Sequence, residues 1–279
     1  MRTENGHDTS MAEALSENQQ YPVLRDSRKD SGAKGYKELT VAVTTAPRKD
    51  CTLAYCLASI EACGWNPIVF AEPGSTETEY KTVCNESKKG IWHNWLNSCH
   101  WCLENTSTEF IMTVQDDSLF HPDSKTFVDS IAWPENCGFV SLYTPRHYSV
   151  LTTGGIRGCG INRIGTKSLW GSLALIFERK VLERVVASPR VPAWFGYRTR
   201  TNNEEIMERR RKDTSLVANS DTVIGKIIND LGLWMYFVEP SPVQHIADYS
   251  TIAHGGRTGN RNCFPCADFE KPLMGQVYP

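Results

Sequence analysis

Two adjacent carboxylates close an apolar run at residues 109–114, where the chain reads Val114-Gln115-Asp116-Asp117. A short apolar run bounded by turn signals reads as a buried strand. The pair then stands at the C-terminal end of a strand, the edge where open α/β sheets bind ligands. Neighbouring carboxylates repel each other and are costly to bury unless a cation neutralises them. Hard divalent ions such as Mg2+ or Mn2+ take oxygen ligands and keep positions open for phosphate. The plainer alternative is a solvated acidic turn in which Asp117 or Ser118 caps a neighbour. A second group raises the odds of chemistry: Val243-Gln244-His245-Ile246, with Ser250 shortly after, follows the last apolar run. A neutral imidazole is a competent ligand for Mn2+, although a lone histidine is more often structural. A third group is Asn219-Ser220-Asp221, at the start of an amphipathic stretch. Asp221 reads either as a first-turn carboxylate favoured by the helix dipole or as a general base for a hydroxyl.

The elements that must hold these groups follow from periodicity. Residues 39–44 form a buried-strand run closed by Pro47. A helix follows over about 50–63, with Leu53, Leu57 and Ile60 at helical spacing and Gly64 in the position after its end. Residues 67–71 are a second strand, stopped by Pro73-Gly74. Strand, helix and strand in this span make a βαβ unit on a parallel sheet. Residues 91–104 read as a helix with Trp92, Trp95, Leu96, Cys99 and Leu103 on one face. Strands are expected at 138–143, 170–177 and 233–238, and helices at 178–187 and from Ser220 to Gly232. The glycine-rich stretch 150–168 lacks periodicity and reads as loop; it fits neither a P-loop nor a dinucleotide fingerprint. The expected fold is α/β, one domain with a central, mainly parallel sheet flanked by helices. It spans 37–255, between a polar tail at 1–36 and an extension at 256–279.

Composition excludes several classes. The chain has 279 residues, 40% of them hydrophobic, and a formal net charge of −2. That is enough to bury a core and is not polybasic. Its apolar runs fall well short of the ~20 residues of a membrane span. The polar start has no signal-like apolar segment, so a cytoplasmic protein with reduced thiols is expected. Ten cysteines include two C-x-x-C pairs, Cys99/Cys102 and Cys263/Cys266. Zinc is the sharper reading and core packing the favoured one.

In this order the motifs resemble those of the GT-A glycosyltransferases, which move a sugar from a nucleotide donor to an acceptor. The opening Val41-Ala42-Val43-Thr44-Thr45-Ala46-Pro47-Arg48 is similar to their first strand and nucleotide-binding turn. Phe70-Ala71-Glu72 is similar to the second strand, and Val114-Gln115-Asp116-Asp117 to the D-x-D metal motif. Trp170-Gly171-Ser172 resembles the acceptor-side segment, Asn219-Ser220-Asp221 the catalytic-base position of inverting members, and Val243-Gln244-His245-Ile246 the late metal histidine. The resemblance covers about residues 39–254.

It implies a GT-A-like (Rossmann-like) domain with Mn2+ or Mg2+ on Asp117 and His245. Thr44, Thr45, Pro47, Arg48, Glu72, Gln115 and Asp116 would contact the nucleotide sugar, with UDP the first-ranked nucleotide. Trp170, Gly171 and Ser172 would face the acceptor, and Asp221 would be the base. Gln115 departs from the motif, which has an acid there. Arg157 and Arg163 are further candidates for the diphosphate, and the charged segment 197–215 has no counterpart. The acceptor is open: a glycan, a protein, or a hydroxymethylated DNA base as in some viral transferases. A non-catalytic nucleotide- or carbohydrate-binding module and a nucleotidyltransferase are the competing classes.

Overall fold

The computed structural model describes residues 38–48, 52–145, 160–164, 169, 171–191, 220–246, 270 and 273. The expected tail lies outside them, as do Arg157, Trp170, Asn219, Ser250, the segment 197–215 and the Cys263/Cys266 pair. The described elements are, in order, β1 (Leu39–Thr45), α1 (Leu53–Ala62), β2 (Pro67–Ala71), β3 (Thr82–Cys84) and α2 (Ile91–Asn105). Next come β4 (Phe110–Gln115), β5 (Ser118–Phe120), α3 (Ser124–Ser130), β6 (Cys137–Ser141) and β7 (Gly160–Ile164). The last are β8 (Ala174–Glu178), α4 (Arg179–Val186), α5 (Ser220–Asp230), β9 (Trp234–Glu239) and β10 (Val243–His245).

Eight of the described strands form one sheet in the order β3-β2-β1-β4-β8-β6-β9-β7, while β5 and β10 pair separately. β3, β2, β1 and β4 are mutually parallel. β8 runs antiparallel to both β4 and β6, β6 and β9 are parallel, and β7 is reversed against β9. The sheet is therefore mainly parallel, with β7 and β8 reversed.

Both faces are covered, which is why the strands read as nearly unbroken apolar runs. Successive side chains alternate between faces. Val41, Val43, Met112 and Val114 pack with Leu53, Leu57 and Ile60 of α1 and with Phe127 and Val128 of α3. Ala42, Ile111, Phe139 and Phe177 pack with Trp92 and Trp95 of α2, Val181 and Leu182 of α4, and Val223, Ile224, Ile227 and Ile228 of α5. Helix α1 ends as its sequence predicts. Gly64 adopts φ +84, its N–H reaches the Glu61 carbonyl, and the Trp65 N–H reaches that of Ile60. That is the paired closure of a helix on a left-handed residue. α5 closes in the same way on Gly232 (φ +69). It also lies hard against β6: a Cβ on Gly138 would stand 2.5 Å from Ile228 Cγ2.

Two sequence expectations are corrected. Residues 160–164, read as loop, form β7, because the pairing of an edge strand with β9 supplies the order that its own weak pattern does not announce. Arg163 is thus on a strand, 4.3 Å over the ring of Trp234. The strand expected from residue 170 starts at Ala174 instead, since Gly171 turns the chain with φ +77. The cysteine question resolves toward packing for one pair. Cys99 and Cys102 lie fully buried in α2, and burial pushes both thiols up, that of Cys102 to about 12. Among the described residues, no group of three or more His, Cys, Asp and Glu side chains gathers there to hold a metal. Among the described residues, no helix is long and apolar enough to cross a membrane.

Candidate active site

The chain leaves β1 toward β2 on one side and returns to β4 on the other, so the order reverses between β1 and β4. A crevice opens at such a reversal, beyond the C-terminal strand ends. The candidate residues stand there. Thr44 is in register with Gln115, and the Asp116 N–H donates to the Thr44 carbonyl (3.2 Å). Thr44 Oγ1 itself donates back to the Val114 carbonyl. Thr45 Oγ1 donates to Asp116 Oδ2 at 2.5 Å. The acids are 1% and 7% exposed, so their charges need neutralising. Arg48 supplies the counter-charge: its Nη2 lies 2.5 Å from Asp116 Oδ1 and its Nη1 3.1 Å from Asp117 Oδ2. Pro47 is exposed at the turn between β1 and Arg48.

His245 reaches this site through a device the sequence reading did not find. β5 and β10 are three-residue strands paired antiparallel, with His245 opposite Ser118. The Ile246 N–H also donates to the Asp117 carbonyl (2.9 Å). The ribbon sets His245 Nε2 3.2 Å from Asp117 Oδ2, with the ring almost wholly covered.

Asp221 comes from the first turn of α5. Because β8 runs against β4, the segment before β8 lies at the end of β4, where the Gln115 N–H donates to the Leu173 carbonyl (2.8 Å). Asp221 Oδ2 accepts from the Gly171 N–H (2.9 Å), and Oδ1 accepts from Ser172 Oγ (2.6 Å). Gln115 Nε2 donates to Ser172 Oγ at 2.9 Å. Only glycine fits position 171. Besides its positive φ, a Cβ there would meet Tyr143 Cε1 at 2.8 Å.

Glu72 is buried, and its two oxygens accept from the Lys89 and Gly90 N–H groups at the start of α2. Its carboxylate fastens the β2 end to that helix. Asn94, which the sequence reading passed over, does related work. Its amide donates to the Thr45 and Phe70 carbonyls, tying the ends of β1 and β2 together. The signal was present: a polar residue among the apolar positions of α2.

The donor set suits a divalent ion. Asp117 Oδ1 is buried without a hydrogen-bond partner, a costly state for a carboxylate oxygen. His245 adds an imidazole beside it. No group of three or more His, Cys, Asp and Glu side chains converges as ligands among the described residues. An ion here would therefore complete its shell with phosphate oxygens and water.

The two acids titrate in opposite directions. Burial raises Asp116 to about 6, with Asp117 adding to the rise and Arg48 only partly opposing it. For Asp117, burial is outweighed by His245 and Arg48, which hold it at about 2. Asp116 therefore binds a proton in the folded chain before it does in the unfolded one, where its value is 3.8. Its contribution makes the ion-free protein more stable as pH falls from about 7 toward 4. Asp117 contributes stability above about 4 that is lost as pH falls through 2. Asp116→Asn will remove the first effect. The difference in unfolding free energy between wild type and variant, measured in EDTA, will shift by on the order of 2–3 kcal/mol between pH 8 and 4. A pH-independent difference would show that Asp116 is ionised throughout.

No family model matches the chain, and no curated protein does. Solved structures do. A mannosyltransferase from Pyrobaculum calidifontis, solved with GDP-Man and Mn2+, is 17% identical over 56% of this chain and 48% of its own, at a TM-score of 0.40. GalNAc-T7, solved with UDP, GalNAc and Mn2+, is 9% identical over 78% of this chain and 44% of its own, at a TM-score of 0.50. The chain spans about half the length of these structures. The likeness to GalNAc-T7 shows the fold, which is GT-A.

Proposed function

We propose that this chain is a metal-dependent glycosyltransferase that moves a hexosyl or related sugar from a nucleotide donor, UDP first, to a hydroxyl acceptor with inversion. The observation that carries the reading is the edge of β4. Within a GT-A fold it holds two buried acids, one with an unpartnered oxygen, beside a histidine brought from far along the chain. Asp117 and His245 would hold Mn2+ or Mg2+. The ion supplies positive charge against which a diphosphate can leave. Arg48, with two donors already turned to this site and its buried Nε unpartnered, is suited to a phosphate. Thr45 keeps Asp116 oriented. Asp221 would take the proton of the incoming hydroxyl, Gly171 and Ser172 fixing its carboxylate as that hydroxyl attacks the anomeric carbon. The acceptor class is a glycan, a protein or a modified DNA base.

The test is a thermal-shift panel of sugar nucleotides, each with Mn2+ and with EDTA. A donor at about 100 times its dissociation constant adds roughly 2.7 kcal/mol to the native state. A shift that requires both Mn2+ and one donor is expected. Folded protein that responds to no donor would overturn the proposal in favour of a module that binds something else.

A further inference from the structure

We propose that Gln115 is a positioning residue for Asp221, acting through the hydroxyl of Ser172. This rests on the reading of Asp221 as the base and adds to it a reason for the amide where the resemblance has an acid.

A serine hydroxyl owns one proton and two acceptor lone pairs. Ser172 Oγ lies 2.6 Å from Asp221 Oδ1. An ionised carboxylate only accepts, so the single proton of Ser172 is committed to Asp221. The oxygen of Ser172 then needs a donor rather than a second acceptor. Gln115 Nε2 provides it at 2.9 Å. The direction of the whole chain is thereby fixed, amide to hydroxyl to carboxylate. The serine is itself buried, 6% exposed, where water is a poor substitute partner. An acid at 115 would reverse the logic. Two carboxylates would compete for one hydroxyl proton, and Asp221 would lose part of its anchor while gaining a nearby negative charge. Gln115 is also the last residue of β4, followed directly by the two acids. One backbone segment therefore sets both the acid pair and the orientation of the base.

The experiment compares Gln115→Met, Gln115→Glu, Ser172→Ala, Ser172→Thr and Asp221→Asn with the wild type. Turnover is read as UDP release from UDP-Glc, UDP-Gal, UDP-GlcNAc and UDP-GalNAc with Mn2+, water taking the sugar as acceptor, and UDP binding with Mn2+ is read by thermal shift. Gln115→Met and Ser172→Ala are expected to lower kcat about 10–100-fold with the donor KM within about twofold, the range for groups that orient a functional side chain. Ser172→Thr, which keeps the hydroxyl, restores most of the rate. Gln115→Glu loses at least as much as Gln115→Met. Wild-type or higher turnover in Gln115→Glu with tighter UDP binding would overturn the proposal, because it would make Gln115 a degenerate metal or nucleotide contact. Loss in Asp221→Asn with no loss in Gln115→Met overturns the positioning role alone. Full turnover in Asp221→Asn removes the base reading, and the positioning role with it, as does a wild type that turns over none of the donors. If Gln115→Met fails to fold, the Ser172→Ala and Ser172→Thr pair with Gln115→Glu still decides.

Discussion

Asp117→Asn will lower metal-dependent release of nucleoside diphosphate on the order of a thousandfold, while the protein stays folded. Asn keeps the volume and one oxygen but halves the acceptor capacity and removes the charge. That charge is what would hold a divalent ion against the leaving diphosphate, a stabilisation worth several kcal/mol in the transition state. The amide oxygen can take the place of Asp117 Oδ2 and still accept from Arg48 Nη1 and His245 Nε2, without the charge of the ion pairs. Arg48 keeps Asp116, and the packing around β4 is untouched. Circular dichroism and a melting curve separate lost folding from lost chemistry, and UDP release with Mn2+ reads the rate. If turnover persists at more than a tenth of the wild-type rate and still needs Mn2+, the ion sits elsewhere.

Asp221→Asn will cost about 10²- to 10⁴-fold in kcat with little change in donor KM, the range for removing a positioned general base. An amide in its place keeps one accepting oxygen, for the Gly171 N–H, and turns its NH2 toward Ser172 Oγ, which accepts once its own proton rotates away. The variant thus removes the proton acceptor while keeping the shape of the side chain and the Gly171 bond. Inversion adds a second readout. The first-formed product from an α-linked donor carries a β anomeric proton, visible by NMR before mutarotation. A full rate in the variant, or a retained anomer from the wild type, would assign Asp221 to anchoring the 171–172 turn alone.

Much of this frame is legible in the sequence because it is built from long, doubly buried strands. β1, β2, β4 and β9 each carry several consecutive apolar residues, and α1 and α5 carry apolar faces with glycine closures that the spacing announces. The acids at the end of β4 follow from that frame. The β5–β10 ribbon does not. Each of its strands is three residues long, too short for a period to show, and the partners lie far apart in the chain. Its existence depends on pairing, which is a tertiary fact. The same holds for the anchoring of Glu72, whose hold on the start of α2 depends on where that helix begins in space. Arg48 reads from sequence as a contact to the phosphate or base of the nucleotide. That its guanidinium spans both acids depends on the turn after β1, which propensity does not specify. Gln115 reads only as a departure from the acid of the motif until Ser172 and Asp221 are brought beside it by the reversed strand β8 and the start of α5.

The most direct test of the central claim is to identify the products released from a UDP-sugar by the wild-type protein, by chromatography, with Mn2+ and with EDTA. UDP and the sugar, formed only with the metal, are the expected result. Cleavage within the diphosphate to UMP and a sugar phosphate, or release that EDTA leaves unchanged, would contradict it.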